Sequence, residues 1–165
     1  MLVGLEVHVD ESREGAKRYT SGMDDGFFDL KTADQLYSKL KADFRSLGDH
    51  HKDTYLAYNF FVTANHLGEW LHWSRDQMRE HSILRICEHL AVGAKHFSVS
   101  NKTIRSVKRA SSEGWVENGW VEPGWVEAGK PVVTLTEDEA SKFGEETIDV
   151  LTLAQKVMTF WSEHL

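Results

Sequence analysis

Between Leu30 and Leu47 apolar side chains recur at three- and four-residue steps: Leu30, Ala33, Leu36, Tyr37, Leu40, Phe44 and Leu47. That period places them on one face of a helix, with the lysines on the other, and Gly48 is a stop signal. A second helix opens at Asp53, a good N-cap, and runs to about Trp73. Its first half, from Tyr55 to Ala64, is apolar nearly all round, which predicts a rod at the centre of the fold. Asn59, Asn65 and His66 then lie close to the interior and need partners. The third helix starts at Asp76 or Ser82 and ends at His96, with the stripe Ile83, Ile86, Cys87, Leu90, Ala91, Ala94 and Phe97. The last spans about Glu145 to Glu163 and has a wide apolar face from Ile148 to Trp161.

Between residues 98 and 136 the helical period stops. Residues 114–128 are a tandem repeat, GWVEN-GWVEP-GWVEA, and a glycine every fifth residue rules out a long helix. Val132 to Thr136 alternates as a strand does, and its expected partner is the stretch from Phe97 to Lys108. At the N-terminus, Leu5, Val7 and Val9 alternate as one short strand, and residues 10–27 read as a loop. The expected fold is mainly α (α+β). It is an antiparallel bundle of about four helices with a small β-hairpin excursion around residues 98–136, in one domain over residues 1–165.

A chain of 165 residues buries roughly 70% of its unfolded surface, so its core requires no metal or disulfide. The single cysteine, Cys87, has no partner within the chain, which suits a reducing compartment. No run of eighteen apolar residues occurs and the first residues lack a signal-peptide core, so the expected setting is cytoplasmic, away from membrane. The net charge of −7 argues against a surface basic all over. It is unevenly spread, however. From Leu90 to Ser112 there is no Asp or Glu, while Lys95, Lys102, Arg105, Lys108 and Arg109 are present. This stretch is a candidate site for an anionic ligand or RNA; the alternative is a set of cations solvated or paired elsewhere.

Three groups of side chains carry candidate chemistry. Arg85 and His89 are one helical turn apart, His89 and His96 two turns, and Lys95 is adjacent. A cation beside an imidazole lowers its pKa and favours a neutral ring able to act as a base. The competing reading is a polar seam tying the third helix to the second. Trp115, Trp120 and Trp125 form a possible ladder for stacking or assembly, or a duplicated loop packed on the core. His66, Glu69 and His72 lie on one helical arc with half the spacing of a di-iron site, but no second Glu-x-x-His occurs, so no metal is expected. Gly124 to Lys130 matches the first seven positions of a phosphate loop, yet Pro131 stands where Ser or Thr is required. No dinucleotide fingerprint, nucleophile elbow or cysteine pair is present, and no cofactor is expected.

The segments Tyr58 to Ala64, Ile86-Cys87, Ala94 to Phe97, the glycine–tryptophan repeat and Thr159 to Trp161 together resemble a family of small helical bacterial and phage proteins. The resemblance spans residues 30–165 and implies no activity. Helices ending in such a histidine are also faintly similar to HEPN ribonucleases. The arginine-to-histidine spacing of that family is matched by Arg75-Asp76 with His81, and not by Arg85 with His89 or His96. The expected function is a non-enzymatic binding or assembly protein, forming a homo-oligomer. The alternatives are a metal-independent ribonuclease or toxin using His89 or His96 with Arg85 or Lys95, and a nucleotide-sequestering protein.

Overall fold

Thr32 fixes the start of the first helix: its hydroxyl accepts the Gln35 amide, and the Gln35 side chain accepts the Thr32 amide in return. The helix therefore begins after Leu30. In this computed structural model residues 28–96, 104–112 and 129–165 are described. The N-terminal strand and loop, Lys102 and the three repeat tryptophans all lie outside them.

Helix α1 (Ala33–Asp49) buries Leu36, Leu40 and Leu47, as its stripe requires, and continues through Gly48. Helix α2 (Thr54–Trp70) is capped by Asp53, whose carboxylate accepts the Tyr55 and Leu56 amides. It packs between α1 and the later helix α4. It is not buried all round, and this corrects the expected central rod. Ala57, Phe60, Phe61, Ala64 and Leu67 face the core, but Tyr55 is 81% exposed and Tyr58 48%. Asn59 and His66 are likewise exposed, since the polar half of the helix faces outward.

His72 ends this helix. It takes φ of 60°, and the amides of His72 and Trp73 bond back to the carbonyls of Glu69 and Gly68. This is the left-handed closure usually given to glycine, and for another residue it costs about 1 kcal/mol. A short helix α3 (Arg75–Glu80) follows, opened by a Ser74–Gln77 capping box. Extended backbone at His81 separates it from α4 (Ser82–His96). Of the two starts expected for the third helix, Ser82 opens α4, and the residues around Asp76 form the separate α3.

Strand β1 (Val107–Ser111) pairs antiparallel with β2 (Val132–Leu135). The expected pairing holds for the C-terminal part of the first stretch, and β1 begins at Val107. A third strand, β3 (Thr147–Asp149), adds to the other side of β2, so the hairpin is a three-stranded sheet. Between β2 and β3 lies α5 (Glu137–Phe143), closed by Gly144 at φ 89°. The residues expected to start the last helix instead form β3, and Asp149 then caps α6 (Val150–His164). The described residues therefore hold six helices, two of them short, where four were expected.

The core joins Leu40, Phe60, Leu67, Leu84, Ile86, Leu153, Val157 and Trp161, all fully buried. At one end Trp73 meets Trp161 edge-on at 5.5 Å and Phe160 at 6.2 Å, pinning the α2–α3 turn to α6. No helix among the described residues is long and apolar enough to cross a membrane.

Candidate anion-binding cleft

Helix α4 is the element from which the polar side chains radiate, and they leave it in three directions. Arg85 points toward α5. Its Nε and Nη2 donate to the two carboxylate oxygens of Glu139 at 2.9 and 2.6 Å. Nη2 also donates to Ser82 Oγ, and Nη1 to the Arg79 carbonyl at the end of α3. Glu139 is almost wholly buried. Burial alone pushes its pKa up, but hydrogen bonds from Arg85, Ser82 and Ser106 outweigh that, and its carboxyl lies below the ordinary range. Arg79 makes a second two-pronged pair with Glu88, 2.8 Å on each side. These guanidiniums hold α3, α4 and α5 together. Arg85 does not share a site with His89, Lys95 and His96.

His89 points toward the sheet. Its Nδ1 accepts the Val107 amide at 2.9 Å, anchoring the start of β1 on α4. A ring that accepts at Nδ1 carries its proton on Nε2 when neutral. Burial lowers its pKa below the ordinary 6.5, against a smaller upward pull from Glu88. The direction is the one expected from a neighbouring cation, but the cause is desolvation.

His89 lies in the wall of a cleft of about 920 Å³ between β1, the first turns of α2 and the end of α4. Its floor is apolar, with Ala57, Phe61, Leu90, Val133 and Val150 among its residues. Residues 107–112 line it in unbroken succession, so it runs along β1 and not over one face of the sheet. The ladder is irregular between Val107 and Arg109, where one residue of β1 has no counterpart in β2. Such a bulge turns the strand and re-aims its side chains. Lys108 and Arg109 both line the cleft, and Arg105 joins them from the segment before β1. Among the described residues no Asp or Glu lines it. No carboxylate among them pairs with Arg105 or Lys108 either.

Lys95 and His96 leave α4 on its other side. They line a smaller groove of about 440 Å³ between α2 and α4. His66 and Glu69 belong to the same groove and are paired, Nδ1 to Oε2 at 2.8 Å. Glu88, engaged by Arg79 and at 3.5 Å by Arg75, is there too. His72 stands past the end of α2 and is off the arc that His66 and Glu69 share. No cluster of three metal-binding side chains occurs among the described residues.

Tyr58 lines both the cleft and the groove. The helical pattern alone places Tyr58 in an apolar rod and not at this position. The signal available was its phenol hydroxyl, three residues from that of Tyr55 and thus on the same face. Cys87 is fully buried and its thiol is pushed up to about 12 by burial, which makes it a core residue and a poor nucleophile. Compared with protein-family models, curated proteins and solved structures, the chain matches none.

Proposed function

We propose that the protein is a binding protein without catalytic activity, and that the cleft along β1 takes an anionic ligand. One observation carries this reading. On a chain of net charge −7, the larger concave site is lined by Arg105, Lys108 and Arg109 and by no carboxylate among the described residues. Charge of one sign over low-dielectric walls concentrates counter-ions, and an apolar floor with a few polar groups is the usual composition of a ligand site. The neutral His89 ring adds a donor at Nε2. A nucleotide fits this chemistry, with a flat apolar body and a charged end. Self-assembly through the tryptophan repeat is part of the same proposal, and deletion of residues 114–128 tests it through solution mass.

Thermal unfolding at low salt, with and without inorganic pyrophosphate, tests the cleft. Saturation at a hundredfold excess over Kd stabilises a protein by about 2.7 kcal/mol. A raised Tm that is abolished by the double variant Arg105→Glu/Lys108→Glu is the expected result. An equal rise in both proteins would place the anion elsewhere.

A further inference from the structure

The cleft and the groove meet at Tyr58, and each carries a cation to which no described carboxylate is paired: Lys95 in the groove, Arg105 and Lys108 in the cleft. The carboxylates of the groove are already engaged, Glu69 by His66 and Glu88 by Arg79 and Arg75. Neither makes an ion pair with Lys95. Between the two sets of charge stands an aromatic ring 48% exposed, and one helical turn away stands Tyr55, 81% exposed. Exposed tyrosines on a helix whose other side is core present flat faces to solvent where a polar residue would do as well.

From this arrangement we infer that the surface binds a single-stranded polynucleotide, with phosphates held on both sides of Tyr58 and a base stacked on its ring. The inference rests on the anion-binding reading and extends it from a ligand to a polymer. A compact anion fills one concavity and has no use for Lys95. A single strand has negative charge at intervals and base faces open between them, which is the alternation of cation, aromatic and cation found here. Non-specific single-strand sites are built this way, from a basic track with aromatic platforms. A duplex hides its base faces and offers the tyrosines nothing.

The probe is a fluorescent oligouridylate of about 15 nucleotides, near the upper end of common site sizes. Its anisotropy is read against the full-length protein, with an equal-length duplex, poly-L-glutamate and inorganic pyrophosphate as separate arms. Single strands are expected to bind at least about tenfold more tightly than duplex. Tyr58→Ala weakens them about tenfold, within the range measured for one stacked base, while Tyr58→Phe retains binding. Three phosphate contacts give a slope of about −2 in log K against log salt, and Lys95→Gln makes it shallower. Tyr58→Phe and Tyr55→Ala alter only exposed groups, so they report on binding even if Tyr58→Ala fails to fold. Equal affinity for duplex or poly-L-glutamate overturns the inference, as does full binding by Tyr58→Ala. If pyrophosphate still raises Tm through Arg105 and Lys108 while the oligonucleotide does not bind, the polymer is wrong and the anion cleft stands. If neither binds, both are wrong.

Discussion

The two sides of α4 use the same residue types for opposite ends. Toward α3 and α5, Arg79 and Arg85 each grip a carboxylate with two hydrogen bonds, and Glu139 is buried beneath one of them. Toward β1, Arg105 and Lys108 meet an apolar floor and no carboxylate among the described residues. The difference teaches that a cation's neighbours, and not its identity, decide whether it holds the fold or waits for a ligand. A guanidinium matched in geometry and charge is spent on structure. One left over a concave apolar surface keeps its field for something that arrives from solution.

The largest expected effect comes from breaking the matched side. Glu139→Gln leaves the Arg85 charge without its counter-ion in a largely buried place, and loss of one partner of such a pair costs about 3–5 kcal/mol. Urea unfolding measures it. Lys108→Gln, by contrast, is expected to change stability by less than about 0.5 kcal/mol. Similar costs at the two positions would erase the contrast.

Charge reversal sharpens the other side. Arg105→Glu with Lys108→Glu is expected to weaken anion binding by about 10- to 100-fold, the worth of one or two charged hydrogen bonds, with stability nearly unchanged. Titration calorimetry with pyrophosphate at low salt reads this directly.

A smaller effect concerns His89, which joins the two regions. Its folded pKa lies below the ordinary 6.5 because the ring is buried, so the native state prefers it neutral. The unfolded chain binds the proton first as pH falls. The stability His89 contributes is therefore complete above pH 6.5 and declines as pH falls from there through the folded pKa. Protonation also removes the acceptor for the Val107 amide and loosens β1. The acid limb of the stability curve should be shallower in His89→Gln than in the unaltered protein. The least change is expected at Cys87: with its thiol pushed up to about 12 and no exposure, it should resist thiol reagents until the chain unfolds.

What the sequence revealed follows from the reach of each signal. Helical period placed Leu36, Leu40 and Leu47 in the core of α1, and Asp53 at the head of α2, because both are written within a few residues. Strand alternation marked β2, but the partner expected over Phe97 to Lys108 coincides with β1 only at Val107 and Lys108. Strand β3 was absorbed into the last helix because Ile148 and Val150 also fit a helical stripe; three residues are too few to show a period of two. The break between α2 and α3 was expected near Trp73 and falls within three residues of it, after Trp70; the left-handed backbone at His72 was not legible, because a histidine stands where glycine is expected. The basic stretch 95–109 was legible as a run without carboxylates; of its described members Arg105, Lys108 and Arg109 line one cleft, while Lys95 lies in the other groove. The proposed meeting of Arg85, His89, Lys95 and His96 was not, because the partners that separate them are distant in sequence. Glu139 is 54 residues from Arg85, and the Val107 amide 18 from His89. Local spacing on a helix shows which side chains share a face, but not what the rest of the chain sets against it.

The most direct test of the cleft is the pattern of backbone amide shifts when pyrophosphate is titrated into the isotope-labelled protein. The account expects saturable shifts at residues 105–112 and at His89, with Arg79, Arg85 and Glu139 undisturbed. Shifts confined to the α3–α5 seam, or none at residues 105–112 under saturating ligand, would contradict it.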